Sequence, residues 1–300
     1  MQPFQRQFVS CRVFILVALI LPLIDCFSQQ KDNRMLFKDI KGLSIAYRRT
    51  GSGPALILLH GFTQDSRIWK QQLDGLSDHF TVIAWDAPGA GKSADPPGNF
   101  TIDNWAESLA DFLDAIDIKQ AHILGLSWGG LLAQEFYHRY PHRVLSLILA
   151  GTYAGWTGSL SDSIAKVRLA ACIHDSSLPP NEFVPKYLSG MFSDSPPQQI
   201  KEQLANIMSD FHPVGFRLMA KALAVGDTRS ILPTIKTPTL LIWGDSDKRS
   251  PINVAHQFND AIPDSKLEII SGAGHVSNME KSVQFNSIVK NFCLTVSTKK

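Results

Sequence analysis

The chain has 300 residues, 44% hydrophobic and 19% charged, with 29 Lys+Arg against 27 Asp+Glu. That size and apolar share suffice for a self-supporting core without a metal or disulfide staple. The near balance of charge, with no basic block, argues against nucleic acid as a partner.

The first 28 residues differ in kind from the rest. Arg6 and Arg12 precede an apolar run from Val13 to Ile24, and polar Ser28, Gln29 and Gln30 follow. Twelve residues are few for a bilayer span, whereas a secretory h-region has this length. The expectation is a signal peptide at 1–28 and a secreted or periplasmic protein, with Cys26 and Ser28 as the small residues before the cleavage point. The alternative is an uncleaved membrane anchor at 13–24. An organelle transit segment would be amphipathic, and this run is apolar all round.

Beyond it, β-branched runs alternate with amphipathic stretches, the pattern of a mostly parallel sheet with helices on both faces. Strands are expected at Leu43 to Arg48, Ala55 to Leu59, Thr81 to Trp85, Ala121 to Leu126, Leu145 to Ala150, Thr239 to Trp243 and Lys266 to Ile270. Helices are expected at Thr101 to Ala115, from near Leu131 to Tyr140, and at Asn253 to Ala261. The alternation fails over residues 151–229, where helical segments are separated by Pro179-Pro180, Pro196-Pro197 and His212-Pro213. That stretch reads as a helical cap inserted into a core made of 29–150 and 230–300. Its apolar positions, Phe183, Tyr187, Met191, Phe192, Phe216, Leu218 and Met219 among them, divide between cap core and substrate pocket.

Gly125-Leu126-Ser127-Trp128-Gly129-Gly130 lies between a strand and a helix, the context of a G-x-S-x-G nucleophile elbow. So tight a turn strains the serine backbone and leaves room only for glycine on either side. It also aims backbone N–H groups and a helix N-terminus at the place where negative charge develops. An oxyanion hole needs a second donor, and His60-Gly61-Phe62-Thr63 follows an earlier strand. The N–H groups of Phe62 and Trp128 are the expected pair, each worth about 3 kcal/mol. His60 itself precedes Ser127 and does not fit the order Ser, acid, His on this fold, so a role in holding its loop is expected.

The acid and base should follow Ser127 at the ends of later strands. Gly244-Asp245-Ser246-Asp247 and Ser271-Gly272-Ala273-Gly274-His275 fill those positions. His275 on its glycine-rich loop is the expected base, since His256 falls inside a helix. Asp247 and Asp245 both remain open as the acid from the residues alone, the other being a turn residue. A serine hydroxyl becomes a nucleophile when an imidazole takes its proton, and a carboxylate fixes the imidazole's tautomer.

Other features carry less. Gly89-Ala90-Gly91-Lys92-Ser93 imitates the end of a P-loop, but the pattern's first glycine falls at Asp86 and Pro96-Pro97 bar the following helix. His138 and His142 have metal spacing, but Pro141 breaks the helix between them. Cys172 and Cys293 are expected to be buried thiols rather than a disulfide. Asn99-Phe100-Thr101 is a glycosylation sequon.

Together, His60-Gly61-Phe62, the turn from Asp86 to Ser93, the elbow, Gly244 to Asp247 and Gly274-His275 resemble the α/β-hydrolase superfamily from about residue 35 to 293. The resemblance favours Asp247 as the acid. Gly274-His275-Val276-Ser277-Asn278-Met279-Glu280 and Phe285-Asn286 look like 3-oxoadipate enol-lactonases and related small-ester hydrolases. Those enzymes are cytoplasmic, and the secretory-looking start departs from them. The resemblance implies a small-molecule ester or lactone substrate and no cofactor. Alternatives are a ligand receptor on a hydrolase scaffold, a carbon–carbon bond hydrolase and a cofactor-free perhydrolase.

Overall fold

Eight strands share one sheet because most are apolar enough to be covered on both faces. They are β1 (Met35–Ile40), β2 (Leu43–Thr50), β3 (Ala55–Leu59), β4 (Thr81–Trp85), β5 (Ala121–Leu126), β6 (Val144–Ala150), β7 (Thr239–Gly244) and β8 (Lys266–Ile270). The computed structural model describes residues 34–297. The segment expected to be a signal peptide or anchor therefore lies outside the described residues. The strand order is β1-β2-β4-β3-β5-β6-β7-β8. Pairing is parallel from β4 to β8 across the sheet, while β2 runs antiparallel to both β1 and β4.

The helices are α1 (Lys70–Leu76), α2 (Ile102–Ala115), α3 (Trp128–Arg139), α4 (Asp162–Asp175), α5 (Pro180–Leu188), α6 (Gln198–Ser209), α7 (Pro213–Val225), α8 (Ile252–Ala261), α9 (Ser277–Glu280) and α10 (Ser282–Ser297). Among the described residues none is long and apolar enough to cross a membrane. Thr101 is the N-cap of α2, and its N–H donates to Asn104 Oδ1 at 2.9 Å, a reciprocal device for helix starts.

Two differences from the sequence expectations have physical causes. Strand β1 was not foreseen because its residues are mostly part-exposed, with Phe37 56% exposed, so the apolar run that marks a buried strand is missing. Its hairpin turn has positive φ at both Lys41 (53°) and Gly42 (86°), as a two-residue connection of matching twist requires. Helix α3 starts at Trp128, three residues before the apolar pattern begins, because Gly129 and Gly130 are helical here.

Helices α4 to α7 all lie between β6 and β7 in the chain. Their packing is aromatic: Phe183 stacks on Phe211 at 3.8 Å and on Tyr187 at 4.3 Å, and meets Phe216 edge-on at 5.1 Å. Phe216 in turn stacks on Phe62 at 4.5 Å, tying α7 to the loop after β3.

Candidate active site

Ser127 joins β5 to α3 with φ 54° and ψ −115°, a conformation L residues avoid. The surroundings hold it there. Its N–H donates to Ala150 O at 2.9 Å, and Thr152 Oγ1 donates to its carbonyl at 2.7 Å. A Cβ on Gly125 would sit 2.2 Å from Gly129 O, and one on Gly129 would sit 2.2 Å from Leu59 O. No side chain fits at either position, so the two glycines permit the crossing of α3 over the sheet edge.

Asp247 and His275 come from the loops after β7 and β8, and both are buried. Asp247 Oδ1 accepts the N–H groups of Arg249 (2.7 Å) and Ser250 (2.8 Å), which fixes the carboxylate in place. Its Oδ2 lies 2.8 Å from His275 Nδ1. A carboxylate can only accept, so Nδ1 carries the hydrogen, and in the neutral imidazole Nε2 is then the nitrogen with the lone pair. Asp245 does something else. Its oxygens accept from Ser246 Oγ, Ser271 Oγ and Gly272 N–H, each at 2.9 Å, joining the acid loop to the loop that carries His275.

Glu280 adds a fastening that sequence reasoning did not single out. Its carboxylate accepts from Gly274 N–H (2.7 Å) and Ser193 Oγ (2.6 Å), so the residue before His275 is held from α9 and from the chain after α5 at once.

Ser127 and His275 line the same cavity, of about 90 Å³, together with Phe62 and Gln64 from the loop after β3. Among the described residues no hydrogen bond joins Ser127 Oγ to His275, and such contacts are often looser in empty sites. The N–H groups of Phe62 and Trp128 donate to no protein acceptor in the described hydrogen bonds. For Trp128, the first residue of α3, that is the ordinary state of a helix start, where N–H groups have no intrahelical partner.

His60 is fully buried and both ring nitrogens are engaged. Ala87 N–H donates to Nε2 at 3.1 Å, which leaves Nδ1 to donate to Gly61 O at 2.9 Å. Burial lowers its pKa, so it stays neutral and acts as a brace between two loops.

The glycine turn that imitates a P-loop closes on Asp86 instead. Asp86 Oδ2 accepts Lys92 N–H at 2.8 Å, and Ser93 Oγ donates to Asp86 O at 2.6 Å. Cys172 and Cys293 are buried thiols that form no disulfide, and burial pushes the Cys293 thiol up to about 12.

The remaining cavity residues were not anticipated. Tyr153 and Trp156 follow β6, Arg168 is on α4, and Arg249 stands two residues after Asp247. Tyr187 and Met191, named from the sequence as core or pocket residues, line the cavity too. No motif marks the two arginines, because what brings them together is the path of the segment between β6 and β7.

A mostly parallel sheet crossed by a strained serine turn, with an aspartate–histidine pair on the loops after β7 and β8, defines an α/β-hydrolase architecture. Residues 54–171 and 209–282 match the alpha/beta hydrolase fold family, and the chain belongs to that family. Among its relatives, 3-oxoadipate enol-lactonase 2 of Acinetobacter baylyi is 30% identical over 240 residues, covering 79% of this chain and 87% of the lactonase. An uncharacterized protein of Mycobacterium tuberculosis is 30% identical over 276 residues, covering 85% and 80% of the two chains. A solved thermophilic esterase from Thermogutta terrifontis, with malate bound, aligns with a TM-score of 0.81 at 26% identity, over 88% of this chain and 99% of that one. The resemblance read from the sequence holds.

Proposed function

We propose that this protein is a serine hydrolase that cleaves a small carboxylic ester or lactone through an acyl-enzyme on Ser127. The observation that carries the proposal is the 2.8 Å bond between His275 Nδ1 and Asp247 Oδ2, at a cavity that also holds a serine at φ 54°. His275 Nε2 takes the Ser127 proton as Oγ attacks the substrate carbonyl. The N–H groups of Phe62 and Trp128 receive the resulting oxyanion. The imidazolium then gives its proton to the departing alcohol oxygen. Water, deprotonated by the same imidazole, releases the acid and restores the serine.

Small substrates suit the cavity, which at about 90 Å³ is below the range of drug-sized ligand sites. The family and the relatives named as esterase and lactonase support ester or lactone chemistry. We also infer export directed by residues 1–28, supported by the basic start and the 12-residue apolar run at 13–24. N-terminal sequencing of the mature protein tests it, and full-length chain retained on membranes would replace export with anchoring.

The test of the reaction is hydrolysis of p-nitrophenyl acetate and butyrate by the parent and by Ser127→Ala. The expected outcome is turnover by the parent and a loss of at least roughly a thousandfold in the variant. Equal rates in the two proteins would refute the proposal.

A further inference from the structure

The cavity that holds Ser127 also contains two guanidinium groups, those of Arg168 and Arg249, which the proposed chemistry does not use. Arg249 is partly explained by structure. Its Nη2 donates to the carbonyls of Tyr187 (2.8 Å) and Ser189 (2.6 Å), clasping the end of α5. Its Nε, however, is buried with no hydrogen-bond partner. Arg168 reaches the Tyr153 hydroxyl, which itself donates to the Arg249 carbonyl, so the two arginines are linked through one tyrosine.

The charges are close enough to feel each other. Burial, and then the Arg168 charge, hold the Arg249 pKa below its usual value. Among the described residues no Asp or Glu lines this cavity, and the oxygens of Asp247, behind His275, are engaged by His275, Arg249 N–H and Ser250 N–H. Neither guanidinium has a carboxylate within ion-pair distance among the described residues. A second unpartnered donor lies at the same cavity: Gln64 is 4% exposed, lines the cavity, and its Nε2 has no partner while its Oε1 accepts Gly61 N–H. Arg249 Nε and Gln64 Nε2 are buried donors left open at one cavity, with the more exposed Arg168 beside them, and such donors are costly unless an acceptor completes them. A carboxylate presents two coplanar oxygens that match a guanidinium fork.

Resting on the serine hydrolase reading, we propose that Arg168 and Arg249 form an anion-binding subsite that selects esters or lactones bearing a free carboxylate away from the scissile bond. The subsite pulls the anionic end toward α4 while the carbonyl sits over Ser127.

The test pairs two esters of similar shape, p-nitrophenyl hemiglutarate and its neutral counterpart p-nitrophenyl 5-oxohexanoate. The parent is expected to favour the anionic ester in kcat/KM by about tenfold to a hundredfold, the value of a charge-assisted hydrogen bond. In Arg168→Gln and Arg249→Gln the preference falls toward one, through KM more than kcat, and Arg168→Lys retains part of it. Because Arg249 also clasps α5, its variant can lose structure, and Arg168→Gln, on an exposed helix position, is the decisive one. Glutarate, but not glutaramide, is expected to inhibit the parent competitively, with a Ki at least about tenfold higher in Arg168→Gln.

Equal use of both esters by the parent, or a preference that survives Arg168→Gln, overturns the subsite while leaving the esterase reading intact. Were the parent to turn over neither ester, the Ser127 reading would fail instead. Calorimetric binding of glutarate to the folded parent, absent in Arg168→Gln, would then still uphold the subsite, and no binding would end it.

Discussion

The serine turn and the segment from α4 to α7 are held by different kinds of interaction. At the turn the contacts are backbone against backbone: Gly125 against Gly129, Gly129 against Leu59, Ser127 N–H on Ala150 O. Ten of the twelve residues of α3 are buried. In α4 only Ala165, Cys172 and Asp175 are, and Val167 is 69% exposed. The segment is joined to the rest of the fold largely by side chains, chiefly the stack from Phe183 through Phe216 to Phe62 and the ion pairs of Asp210 with Arg67 (2.8 Å) and Asp194 with Lys248 (2.7 Å), beside one backbone bond from Val276 N–H to Met191 O (3.2 Å). Backbone contacts tolerate almost no substitution, whereas side-chain contacts can be exchanged. On the proposed function, the reaction's geometry belongs to the sheet edge, and the choice of substrate to the helical segment.

If that division is right, substitutions at the edge should strike kcat and those in the helical segment stability and KM. The largest effect is expected from Asp247→Asn, which leaves the shape but fixes the wrong histidine tautomer. A kcat loss on the order of ten-thousandfold is expected, with little change in melting temperature. Asp245→Asn, by contrast, loosens only a loop join and should cost less than about tenfold, within the range of a misplaced positioning group. A matching loss at both positions would show that the loop join, and not the histidine contact, controls the rate.

Next comes Phe183→Ala, in the centre of the aromatic stack. It should lower stability by about 3–5 kcal/mol, read by denaturant titration, and raise KM for a short ester. A collapse of kcat as deep as that of Asp247→Asn, in folded protein, would break the comparison.

The smallest effect concerns His60, an edge residue with a structural task. Burial lowers its pKa from 6.5, so below that pH the unfolded chain takes up a proton that the folded chain refuses. Stability should thus fall as pH drops below 6.5, by at most about 1.4 kcal/mol per pH unit for this one group. His60→Gln should flatten that slope. Should its slope equal the parent's, the neutral-brace assignment is wrong.

The sequence was most informative where local chemistry leaves few options. The elbow needs a serine between close glycines after an apolar strand, and β3, β4, β5 and β8 begin and end where the apolar runs do. The edge strand β1 was invisible because half-exposed residues carry no burial signal, and the first turn of α3 was hidden by its glycines. Residues alone left Asp245 and Asp247 open, since both are aspartates on one four-residue loop.

What the chain order by itself determined is the layout of the hydrolase: alternating strands and helices, a serine at a forced turn, and a later acid and base. Those features depend on contacts between residues near in sequence, or on a periodicity that any stretch displays by itself. Only the tertiary structure decided that Asp247 faces His275 while Asp245 staples a loop, and that Arg168 and Arg249 share a cavity 41 and 122 residues after Ser127. Such choices hang on which way a loop turns by a few ångströms and on how four helices fold back over a sheet edge. They are set by long-range packing, which no local pattern encodes.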